Sequence, residues 1–181
     1  MPKRISLIAA VAKNLVIGDA TGIPWRLPAD LKRFRKLTLD KPIVMGRTTF
    51  EHIGKPLDRR LNVVLSRNSD YHPAGVEVAA NIEEAIDKAV GATEVMVIGG
   101  EQAYRAAFPR ATRIYMSWVM GEFPGTARFP AIADWPCPPD ETWEVTHRES
   151  VPGDVNNEYD HHFVIYERTP KEMTAGRRTA R

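Results

Sequence analysis

The chain has 181 residues, of which 43% are hydrophobic and 27% charged, with a formal net charge of +2. That balance fits a single soluble domain with a sizeable core and excludes a largely disordered chain; the weak positive charge falls short of the concentrated basic face that nucleic acid requires. The lone cysteine, Cys137, excludes an internal disulfide and cysteine-rich zinc sites and fits a reducing compartment.

Residues 5–12 form a nearly unbroken apolar run, the pattern of a strand covered on both faces in a largely parallel sheet. The run stops at Lys13-Asn14 and nothing nearby approaches a membrane span, so despite its charged start it reads as a first strand. No targeting signal and no membrane contact are expected, and the location expected is cytoplasmic. Ala9 and Ala10, near the strand's end, serve either tight packing or a flat ring. After a loop over 14–22, residues 22–34 read as a stiffened lid running into a helix: Pro24 and Pro28 fix two φ angles, and Trp25 is costly to expose. Pro28 suits the first turn of a helix over 29–39, with Leu31, Phe34, Leu37 and Thr38 inward and Lys32, Arg33, Arg35 and Lys36 outward. Asp30 lies beside the apolar stripe, either as an acid favoured by the helix dipole or as a functional carboxylate.

A strand over 42–46, a helix from 47 to near 54 and a strand over 61–66 follow. Arg47-Thr48 and Ser66-Arg67 stand at the two strand ends, where they can hold one phosphate or simply solvate turns. A short strand over 76–79, a helix over 82–90 and a strand over 94–98 lead to Gly99-Gly100. A helix over 101–108, ended by Pro109, comes next, so the doublet is either an anion cradle or a tight turn. Residues 113–120 are a strand and 121–139 a proline-rich, irregular passage. Alternating runs at 143–149 and 159–168 form a hairpin whose last strand is antiparallel. His161 and His162 point to opposite faces of that strand and cannot readily share an ion, so no metal is expected. Residues 169–181 are nearly devoid of apolar side chains and are expected to be a mobile basic tail. Roughly eight strands and four helices in this order make an α/β fold, with one long sheet covered on both faces.

Ile5-Ser-Leu-Ile-Ala-Ala10, Val16-Ile-Gly18, Pro24-Trp-x-Leu-Pro-x-Asp-Leu31, Phe34, Val44-Met-Gly-Arg-x-Thr49, Gly54-x-Pro-Leu57, Arg60-x-Asn-Val-Val-Leu-Ser66, Val97-Ile-Gly-Gly100 and Tyr104 occur in an order and spacing that resemble the chromosomal bacterial type of dihydrofolate reductase. The resemblance covers residues 5–168, so that a domain over 1–168 and a tail over 169–181 are expected. It implies a single domain with a mixed eight-stranded sheet, mostly parallel, flanked by four helices. The implied reaction is reduction of 7,8-dihydrofolate to tetrahydrofolate by NADPH, a step of one-carbon metabolism, in a monomer open to antifolate inhibitors.

By that resemblance Asp30 binds and polarises the pterin, and Ile8, Leu31, Phe34 and Ile53 surround the substrate's rings. Leu57 walls the same passage, Arg60 pairs with the α-carboxylate, and Ser117 supplies the hydroxyl that a threonine gives in many members. Ala10, Ile17 and Gly18 meet the nicotinamide and Gly99-Gly100 the pyrophosphate. Arg47, Ser66 and Arg67, with Thr48 nearby, take the 2′-phosphate. Gly46, Thr49, Leu65, Ile98, Gln102 and Tyr104 complete the implied cofactor site, Gln102 standing where some bacterial members carry arginine. Water is expected to protonate N5 once Ile23-Pro24-Trp25 has closed. Gly125-Thr126-Ala127 replaces a common Gly-Asp-Thr and lacks an acid that often holds the lid. The pyrimidine reductase of riboflavin synthesis shares the fold, but Asp30 and Arg60 suit a pterin with a glutamate tail. A non-catalytic nucleotide-binding module is the alternative of another class.

Overall fold

The structure is a computed structural model and describes residues 3–130 and 141–170. The apolar run at the start becomes β1 (Arg4–Ala12), in which every residue from Ile5 to Ala12 except Ala10 is buried. Burial on both faces follows from its place between β6 (Glu94–Val97) and β7 (Arg113–Val119), to both of which it is parallel. Outward from β6 lie β3 (Ile43–Gly46), β4 (Asn62–Leu65) and β5 (Glu77–Ala79), all parallel. Beyond β7 lie β10 (His161–Pro170), antiparallel to it, and β9 (Glu141–Val151) at the edge. The result is one mixed sheet of eight strands in the order β5-β4-β3-β6-β1-β7-β10-β9.

Alternate residues of each strand feed two cores. On one face Leu7, Val44, Val97 and Met116 pack with Ile82 and Ala85 of α3 (Ile82–Lys88) and Ala103 and Ala107 of α4 (Glu101–Ala107). On the other, Ile8, Met45, Met96 and Tyr115 meet Phe34 and Leu37 of α1 (Pro28–Thr38) and Phe50 and Ile53 of α2 (Arg47–Ile53). Among the described residues no helix is long and apolar enough to cross a membrane.

Four features depart from the expectations. The loop over 14–22 contains β2 (Val16–Gly18), which pairs antiparallel with β8 (Ala127–Arg128), a two-residue strand inside the passage read as irregular. The helix after the glycine doublet ends at Ala107 and is followed by a single 3₁₀ turn, Phe108–Arg110. The strand β10 runs on to Pro170, so Thr169 and Pro170 belong to the sheet rather than to a tail. Arg33 does not face outward: its side chain is 20% exposed and its guanidinium lies over the ring of Phe163 on β10. Trp135, Cys137 and the rest of the tail lie outside the described residues. His161 and His162 do take opposite faces, His161 fully buried and His162 beside Ser150 on β9.

Candidate active site

The carboxyl ends of β1, β3, β4 and β6 open on one cleft of about 1590 Å³, roofed at its mouth by the lid. Asp30 projects into one end from the first turn of α1. Pro28 starts that helix, yet Leu27 before it supplies no side-chain cap. The cap comes from far away in sequence: Asn157 Oδ1 accepts from the Ala29 amide at 3.1 Å, and Asn157 is itself held by Asp154. The amide of Glu158 also donates to the Arg26 carbonyl, so the hairpin loop clasps the junction of lid and helix.

The Ser117 hydroxyl on β7 donates to the carboxylate of Asp30 in a short hydrogen bond. Burial pushes this carboxyl above its ordinary range; the Ser117 bond and the charges of His161 and Arg33 pull the other way. Around it stand Ile8, Leu31, Phe34, Ile53 and Leu57. Leu31 is 60% exposed, as befits a side chain pointed across an open cleft rather than into a core. Tyr104 of α4 crosses beneath, its hydroxyl donating to the Ile8 carbonyl at 2.7 Å, and burial followed by the Asp30 charge pushes its phenol well above the usual range.

At the other end stand Arg47, Thr48, Thr49, Leu65, Ser66 and Arg67, with Gly99 and Gly100 between the ends. Gly99 has φ +123°, a conformation that side chains rarely adopt, and a Cβ there would lie 3.3 Å from the Tyr104 hydroxyl. Its carbonyl accepts from the Gly46 amide at 2.8 Å, which draws the doublet against the junction of β3 and α2. The Arg47 guanidinium sits 4.4 Å above the Tyr71 ring and its Nε donates to Glu51.

The family model described as dihydrofolate reductase matches residues 4–168. The chain belongs to the dihydrofolate reductase family. It is 44% identical to dihydrofolate reductase type 3 of Salmonella typhimurium, over 91% of this chain and 98% of that one. The dihydrofolate reductase of Bacillus subtilis (strain 168) is 37% identical, over 95% and 99%. A solved dihydrofolate reductase from Enterococcus faecalis, complexed with NADP(H) and RAB-propyl, superposes with a TM-score of 0.82 at 34% identity, covering 92% of this chain and 96% of that one. The chain is thus an oxidoreductase of folate metabolism, and its reaction is the NADPH-dependent reduction of dihydrofolate to tetrahydrofolate.

As a dihydrofolate reductase the chain has a cleft that suits NADPH. Two arginines and three hydroxyls at one end match a phosphate, and a glycine doublet, where a Cβ on Gly99 would crowd Tyr104, stands between the ends. Every residue expected at the cofactor lines the cleft, from Ala10, Ile17 and Gly18 through Gly46 and Ile98 to Gln102 and Tyr104. On the substrate side Ile8, Ile23, Asp30, Leu31, Phe34, Ile53, Leu57 and Ser117 line it too.

Two expected site residues do not line it. Trp25 is buried against Phe123, ring centroids 4.9 Å apart, and Phe123 in turn packs edge-on against Tyr159; it anchors the lid's root. The Arg60 side chain is 1% exposed, its Nη1 donating to Thr38 Oγ1 and its Nη2 to Asp58 Oδ1. Conversely, Arg33, Tyr115, Phe163 and Thr126 line the cleft without having been expected there. Tyr115 and Phe163 carry a period-two signal that marks their face but not the helix laid across it.

Proposed function

We propose that Asp30 is the anchor of the pterin, bonding its exocyclic amino group and ring N–H, and that it polarises the ring for reduction. The observation that carries this reading is its position: the other cleft acids, Asp19, Glu83 and Glu101, lie on the loop after β2, on α3 and on α4, and Asp30 stands among apolar side chains on Ser117. When bound, NADPH supplies the hydride. Ile8, Leu31, Phe34, Ile53 and Leu57 sandwich the substrate's rings and exclude water, and Ala10, Ile17 and Gly18 form the surface on which the nicotinamide lies. Arg47, Ser66 and Arg67, with Thr48 beside them, take the 2′-phosphate, and Gly99 and Gly100 the pyrophosphate. Arg60 receives the substrate's α-carboxylate by exchanging its Asp58 contact for it.

The proton reaches N5 from water, because the Asp30 carboxylate is committed to the ring edge. Ile23, at the lid's tip, then restricts further solvent. One chain completes the cleft, which supports action as a monomer in which antifolates compete at the Asp30 end. The single cysteine supports a cytoplasmic setting. The domain is taken to close with β10, a basic tail following.

Asp30→Asn tests the reading. Dihydrofolate-dependent NADPH oxidation, followed by absorbance at neutral pH, should fall about 10²-fold or more, the scale of acid–base and polarisation effects, and recover in part at low pH, where substrate arrives protonated. Undiminished turnover at neutral pH rejects Asp30 as the anchor.

A further inference from the structure

Arg33 follows Asp30 by three residues on α1, so the two share one side of the helix. Its guanidinium is fixed rather than free. The plane lies over Phe163, 4.3 Å from the ring centroid, and Nη2 donates to Glu149 Oε1 on β9 at 2.7 Å. Nη1 is buried without a partner among the described residues, and Arg33 lines the same cleft as Asp30. Sheet register explains the proximity: Phe163 on β10 lies opposite Ser117 on β7, the residue that holds the carboxylate. Among the described residues no ion pair joins Arg33 to Asp30, so the cation acts across space in a half-buried, low-dielectric setting.

We propose that Arg33, clamped between Phe163 and Glu149, is a positioning residue of the reaction: its charge adds to Ser117 and His161 in favouring the ionised form of the Asp30 carboxylate in an apolar cleft, without touching it, and Glu149 moderates that field. The effect on rate rests on the reading of Asp30 as pterin anchor; the effect on ionisation does not. Burial is the largest influence on Asp30, and Arg33 is one of the influences opposing it. The other groups that bear on Asp30 are Ser117 of β7, Tyr104 of α4 and His161 of β10, and Tyr115 of β7 lines the same cleft. Beyond Phe163 lie Glu149 and His147 of β9, whose side chains approach to 4.0 Å. An arginine suits the place because a planar guanidinium stacks on an aromatic ring while keeping its charge at every working pH.

The test reads Asp30 directly. The apoprotein is labelled with ¹³C at aspartate carboxyls and titrated by NMR, the Asp30 signal being assigned by its loss in Asp30→Asn. Arg33→Met should raise the Asp30 midpoint and Glu149→Gln should lower it, because the first deletes the cation and the second unmasks it. Both variants lose the same ion pair, so a bracing role alone moves both midpoints the same way. That outcome, or an unmoved midpoint in Arg33→Met, overturns the proposal. Should Arg33→Met fail to fold, Glu149→Gln decides alone: a lower midpoint supports the proposal and an unchanged or higher one overturns it. The pH profile of hydride transfer should follow the midpoints; midpoints that move while the profile stays fixed uphold Arg33's influence and reject instead the anchoring role of Asp30.

Discussion

The carboxylate of Asp30 is held in a place that opposes its charge, and that opposition has a consequence for stability that can be separated from catalysis. Burial raises its carboxyl above the ordinary value of 3.8, and the Ser117 bond, His161 and Arg33 offset this only in part. Between the ordinary and the raised value the folded chain binds more protons than the unfolded one, so this group's contribution to stability declines as pH rises through that window. Above the window the cost of burying the charge is fully present. Asp30→Asn removes the charge and keeps an oxygen to accept from Ser117. We therefore expect the apoprotein of this variant to melt at a higher temperature than the parent at neutral pH, the gain shrinking as pH falls toward the ordinary carboxylate range. Thermal unfolding of both proteins across that range measures it, and a lower melting temperature at neutral pH contradicts the account.

At the scale of elements, the lid is tied down at two places by different means. Its root is pinned by Trp25 on Phe123, and its base by the pairing of β2 with β8. Thr126 and Ala127 bring no acid to this place, and the backbone of β8 makes the tie instead. That pairing depends on Gly125, where a Cβ would come within 2.6 Å of Val16 Cγ1 and 2.7 Å of the Gly18 carbonyl oxygen. Gly125→Ala should push β8 off β2 at a local cost of about 1–3 kcal/mol, as overpacking does. Amide exchange of Val16 and Gly18 should quicken and turnover should slow; unchanged exchange in β2 would sink the idea. The pair β2–β8 was illegible in the sequence for a plain reason: three residues and two residues, over 100 positions apart, carry no periodicity. The strand β1 and the helix α1 were legible because each is long enough to show its period. Arg33 was misread because period alone assigns a basic residue to water, and the hairpin that covers it begins over 100 residues later.

Across the whole molecule, the cleft draws its arginine-bearing end from β3 and β4, its glycine doublet from β6, and its carboxylate end from α1, β1 and β7. The residues after β3, β4 and β6 were legible as motifs because each sits where a strand ends, a position that sequence marks with glycine, hydroxyl or charge. Trp25 carried an equally strong motif but is buried behind the lining, since a motif gives spacing along the chain and not the direction of a side chain. A ligand spanning the cleft binds only the folded sheet and stabilises it by mass action, by about 2.7 kcal/mol at a hundred times its dissociation constant. NADPH and NADH differ only in the 2′-phosphate, so at equal concentration NADPH should raise the melting temperature more. The Arg47 side chain is 47% exposed and Arg67 is exposed, so replacing both with leucine should leave the apoprotein's melting temperature nearly unchanged. The double variant should respond to NADPH as the parent responds to NADH, because charge-assisted contacts worth about 1.5–3 kcal/mol each are gone. Equal stabilisation of the parent by the two cofactors would remove the phosphate from this end of the cleft and leave Arg47, stacked on Tyr71 and bonded to Glu51, as a brace for α2.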